Sequence, residues 1–61
     1  MKRRDLLAHL ERNGCRLRRE GGNHPVYWNP VTRKVAPIPR HTEIDENLCR
    51  RICKQLSVLP T

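Results

Sequence analysis

The sequence predicts an α+β fold of order α-β-β-β-α, with a three-stranded antiparallel sheet and both helices on one of its faces. Three observations carry this. The apolar residues near each end recur at helical intervals. The middle of the chain alternates in polarity and is broken by glycine and proline turns. With 61 residues and 36% hydrophobic content, the chain has room for one small core, so residues 1–61 are read as one domain.

The first helix is expected from about Lys2 to Asn13, with Leu6, Leu7 and Leu10 on one face. Asp5 in its first turn and Arg12 in its last favour the helix dipole. Gly14 can take the left-handed conformation that stops a helix. Cys15 to Glu20 alternates as a strand does, with Cys15 and Leu17 expected in the core beside Arg19, and Arg16 and Arg18 on the other side. Gly21-Gly22-Asn23 turns the chain into a second strand, Pro25 to Asn29, rich in strand formers. Asn29-Pro30-Val31-Thr32 is a second turn. Lys34 to Ile38 is a third strand, confined to an edge by Pro37 and Pro39. The last helix is expected to begin at Thr42 as N-cap, with Asp45 completing a capping box. Ile44, Leu48, Ile52 and Leu56 form its stripe, flanked by Cys49 and Cys53. Packing these stripes on a three-stranded meander gives two layers, with the second sheet face open. This is the plan of a double-stranded-RNA-binding-type domain.

Lys and Arg number 13 against 6 acidic residues, a net charge of +7, and ten of the thirteen are arginine. A basic excess of this size on so small a surface points to a polyanion or an acidic protein as partner. Arginine's planar fork suits phosphate oxygens. Three cysteines with no secretion signal ahead of them argue against a disulfide framework and for the cytoplasm. No apolar run reaches membrane-spanning length, so no membrane role is expected. Cys49 and Cys53 stand four residues apart, but no further ligands fall at metal-site spacing. They are read as core, with no metal and no cofactor.

The segments Gly22-Asn23-His24, Asn29-Pro30, Ile38-Pro39-Arg40-His41, Glu43-Ile44, Leu48 and Ile52-Cys53-Lys54-Gln55-Leu56 together resemble the HicA (YcfA-like) toxin family over nearly the whole chain. The resemblance implies the same fold, a small RNA-cleaving toxin, and a HicB-like antitoxin that binds and silences it. The protein would be a monomer alone and a hetero-oligomer with the antitoxin. The resemblance also implies that the histidine after the glycine turn, His24, is catalytic. Many members carry a serine in that turn, where this chain has Gly21, Gly22 and Asn23.

The chemistry agrees with this reading. Histidine exchanges protons near neutrality, and RNA carries its own nucleophile, the 2′-hydroxyl, so a base at His24 would suffice for slow cleavage without a metal. His41 is either an auxiliary proton donor or a structural loop residue, and His9 is expected to be solvated. If His24 faces the open side of the sheet, Val26 and Trp28 share that side, while Pro25 and Tyr27 face the helices. Trp28 would then stack on an RNA base or dock on the antitoxin; the opposite parity would make it core. Gly22, Asn23, Arg16, Arg18, Arg19, Lys34 and Arg40 are the remaining candidates for RNA contact, with Arg40 nearest the scissile phosphate. Arg50, Arg51 and Lys54 could meet acidic antitoxin residues. The alternatives are an RNA-binding module that does not cut, and an inactive homologue that only binds an antitoxin.

Overall fold

The computed structural model describes residues 1–20 and 24–60. Helix α1 spans Arg3–Arg12, strands β1, β2 and β3 span Arg16–Arg19, Val26–Asn29 and Lys34–Pro37, and helix α2 spans Glu46–Gln55. The strands form one antiparallel sheet in the order β1-β2-β3. One core cluster joins Leu6 and Leu10 of α1, Tyr27 and Ala36 of the sheet, and Cys49, Ile52, Cys53 and Leu56 around α2. Tyr27 Oη reaches Glu11 Oε2 on α1 (3.4 Å), and Asn29 Nδ2 donates to Leu56 O at the end of α2 (2.8 Å). Both helices therefore cover the same face, as the sequence predicts.

Both helices end in the same way. At α1, Gly14 N donates to Glu11 O and Cys15 N to Leu10 O, both at 3.0 Å, with Gly14 at φ 92°. At α2, Ser57 N donates to Lys54 O (3.1 Å) and Val58 N to Cys53 O (2.8 Å), with Ser57 at φ 59°. These are paired Schellman bonds, each closed by an apolar contact beyond the cap. Glycine fills the left-handed position once; serine fills it the second time and carries the Cβ penalty. Ser57→Gly is expected to stabilise the fold by about 0.5–1 kcal/mol, seen as a rise of a few degrees in thermal melting.

The start of α2 differs from expectation. Thr42 is not its cap, and the helix begins at Glu46. Residues 42–44 are instead extended and zipped to the start of the chain. Arg3 N donates to Thr42 O (2.8 Å), Ile44 N to Met1 O (2.8 Å), and Lys2 bridges Glu43. These long-range bonds occupy the backbone groups that a helix from Thr42 would need. Asp45 becomes the N-cap, accepting from Asn47 N (3.0 Å) and Leu48 N (3.3 Å). Ile44 is still buried, but as an extended residue. Asp45→Ala is expected to cost about 1 kcal/mol, measured by chemical denaturation.

Leu17 is a second correction. It sits opposite Tyr27, on the helix side, yet is 46% exposed. β1 is an edge strand whose four residues are all exposed, beyond the cover of the helices. Cys15, just before β1, is buried as expected. His9 also departs from expectation. It is half-buried, and its Nε2 donates to Leu59 O at 2.7 Å, holding the tail against α1.

Candidate functional site

The parity of β2 is as the sequence suggests for an outward histidine. Pro25 and Tyr27 are buried against the helices; Val26 and Trp28 are half-buried on the open face; His24 is exposed. Ile38 N donates to Pro25 O (2.9 Å), extending the pairing of Val26 with Pro37. His24 and Pro39 are the residues that follow that last bond on the two sides of the ladder. Arg40 reaches across to the end of β1, where its Nη2 lies 3.4 Å from both Glu20 O and Glu20 Oε1. Glu20 stands four residues before His24 in the chain, so Arg40 is paired close in sequence to the histidine. His41 is exposed in the same loop. Gly21, Gly22 and Asn23, the expected turn with its two candidate RNA contacts, lie outside the described residues.

The open sheet face carries a second group. Arg16 pairs with Trp28 and Arg19 with Val26, with a bulge between Leu17 and Arg19. A bulge inserts one residue and shifts the alternation. Arg19, expected on the helix side, therefore joins Val26 on the open face, next to Arg18. The Arg18 guanidinium carbon lies 4.7 Å from the Trp28 ring centroid, a cation–π contact. Arg18, Arg19, Val26 and Val35 line a shallow groove of about 480 Å³. Two candidates fall away from it. Arg16 turns its Nη1 back to Glu11 O (3.2 Å) and Cys15 O (2.9 Å), close to the end of α1. Lys34 is registered with Asn29, whose side chain points to α2, so Lys34 sits on the helix-side rim.

Sequence reasoning missed a third feature. Lys2, Arg3, Arg4, Leu7, Arg40 and Thr42 line an open cleft of about 390 Å³. Arg3 Nε donates to Pro39 O (2.8 Å), tying α1 to the loop beside His24. At the rim, Lys2 Nζ pairs with Glu43 Oε2 (2.8 Å). The hydrogen bond between them holds the Glu43 carboxyl below its usual value and the Lys2 ammonium above its own. The consecutive cations Lys2-Arg3-Arg4 were the available signal. Only the pairing of residues 1–3 with 42–44 shows that they meet Arg40.

Cys15, Cys49 and Cys53 are free and buried. Burial pushes the Cys15 and Cys49 thiols up, which makes them poor nucleophiles. Among the described residues, no group of three or more His, Cys, Asp or Glu side chains could hold a metal ion. None of the described helices is long and apolar enough to cross a membrane.

An α-β-β-β-α domain with an open cationic sheet face and an exposed histidine beside an arginine loop defines a class of small, basic, polyanion-seeking proteins. The family described as HicA toxin of bacterial toxin-antitoxin matches residues 3–58. The chain belongs to the HicA toxin family, as the toxin component of a toxin–antitoxin pair, and so has an antitoxin as its partner. Searches of curated proteins and of solved structures gave no match.

Proposed function

We propose that this toxin is a metal-independent endoribonuclease that cleaves messenger RNA, with His24 as its general base. The observation that carries the reading is the exposed imidazole just before β2, with Arg40 paired to Glu20 four residues ahead of it in the chain. In the proposed step His24 takes the proton from a ribose 2′-hydroxyl. The 2′-oxygen forms a bond to the adjacent phosphorus, and the bond to the 5′-oxygen breaks. That leaving oxygen takes a proton from His41 or from water. Arg40 exchanges its exposed pairing with Glu20 for the phosphate, whose charge grows in the transition state. Exposed pairs of this kind are worth ~0–1 kcal/mol, so the Glu20 carboxylate opposes the exchange only weakly. Products would be a 2′,3′-cyclic phosphate and a 5′-hydroxyl.

The open face supports RNA binding around this centre. Trp28 offers a ring for base stacking, and Arg18, already lying on it, offers a second plane. Arg19 adds a cation beside them, and Gly22 and Asn23 complete the proposed set. A HicB-like antitoxin would silence the toxin in a hetero-oligomer in the cytoplasm, with the toxin alone monomeric. Incubating the purified protein with messenger RNA in EDTA, and expressing it with and without its antitoxin, tests the reading. Cleavage in EDTA with growth arrest relieved by the antitoxin is expected. Binding without cleavage, and unharmed growth, would return the protein to the class of RNA-binding modules.

A further inference from the structure

We infer that the cleft between the start of α1 and the Arg40 loop is a second phosphate site, which holds the RNA backbone next to the scissile bond. This rests on the nuclease reading in taking RNA as the ligand. Its lining brings together four cations, Lys2, Arg3, Arg4 and Arg40, with only Leu7 and Thr42 between them. Two nearby carboxylates are already engaged: Glu43 by Lys2, and Glu20 by Arg40. These pairs offset Lys2 and Arg40, which leaves Arg3 and Arg4 as the lining cations with no ion pair among the described residues. Asp5, in the first turn of α1, also acts on Lys2. Among the described residues, no hydrogen bond or ion pair engages the Arg4 side chain.

The cleft has a direction as well as a charge. Arg3 is fixed by its bond to Pro39 O, and Arg40, the next residue, pairs with Glu20, four residues before His24 in the chain. The Pro39–Arg40 segment thus meets the arginine cleft and also Glu20, on the stretch of chain that leads to the proposed catalytic histidine. A strand whose scissile phosphate rests on Arg40 would run its next phosphates toward Arg3 and Arg4. Two guanidinium forks match phosphate oxygens in both charge and shape. The floor offered by Leu7 suits a sugar more than a second anion. An acidic protein segment would need the same cations, but an extended peptide carboxylate gains less from paired forks in an open cleft than a phosphodiester repeat does.

The test uses the His24→Ala protein, so that binding is read without cleavage, and a fluorescent single-stranded RNA of mixed sequence. Arg4→Gln is introduced into it, with Arg12→Gln, at the far end of α1, as control; thermal melting confirms that each folds. Arg4→Gln is expected to weaken RNA binding about tenfold and to lower the salt-dependence slope by ~0.7, while Arg12→Gln changes neither. An Arg4→Gln protein that binds RNA like the control would overturn the proposal, as would absence of RNA binding in the parent. A hexaglutamate peptide serves as second probe. Weakened peptide binding with RNA binding untouched would make the cleft a protein-docking site and overturn the proposal too. Wild-type cleavage is scored separately, so a wild type that binds RNA through Arg4 without cutting it sinks the nuclease reading and leaves the cleft standing.

Discussion

His24→Ala is expected to lower the RNA-cleavage rate by about 10²–10⁴-fold, the range for loss of a general acid–base group, without loss of stability. The two halves of this outcome have separate causes. His24 is exposed and precedes β2, so truncating it removes no core contact and no ladder bond. Chemically, the 2′-hydroxyl loses the base proposed to take its proton, while the cations proposed to bind phosphate remain. RNA affinity should therefore hold while turnover falls. A variant that lost both together would point to a structural histidine. In cells the same substitution should abolish growth arrest while antitoxin binding persists.

Leu10→Ala is expected to leave the chain unfolded or nearly so at 37 °C. Leu10 is fully buried at the centre of the α1 face, and its carbonyl accepts the Cys15 bond that closes the helix. Truncating such a residue costs about 2–5 kcal/mol. Stabilities of about 0.05–0.15 kcal/mol per residue give a chain of 61 residues only about 3–9 kcal/mol in total. The core is small, and its three cysteines are free rather than cross-linked. Circular dichroism should show a broadened transition at much lower temperature. A melt within a few degrees of wild type would mean that another element, not the α1 face, carries the stability. An antitoxin that covers the toxin would partly restore folding by mass action, so the variant is best measured alone.

The elements that depend on neighbours in sequence were legible. The spacing of Leu6 and Leu10, the stop at Gly14, and the prolines that confine β3 to an edge all act within a few residues. Features set by distant partners were not. Thr42 and Asp45 have a spacing that suits a capping box, and only the pairing of Met1–Arg3 with Thr42–Ile44 turns Asp45 into the cap. Simple alternation put Arg19 on the wrong face because a bulge leaves no mark in a run of arginines and leucine. Ser57 hid the end of α2 because serine is not a left-handed signature. The parity of Trp28 stayed open in the sequence, since alternation fits either face; the burial of Pro25 and Tyr27 decides it, and the Arg18 contact had no sequence signal. At the candidate site, His24 and Arg40 could be named from the sequence, and the Arg3–Arg4 cleft could not, since its two sides lie far apart along the chain.

The account stands on the proton that His24 removes from a ribose hydroxyl, and product ends read that step most directly. Messenger RNA treated with the wild-type protein in EDTA should yield fragments ending in 2′,3′-cyclic phosphate, His24→Ala should yield almost none, and DNA of the same sequence should remain whole. Fragments bearing free 3′-hydroxyls, or equal yields from wild type and His24→Ala, would contradict it.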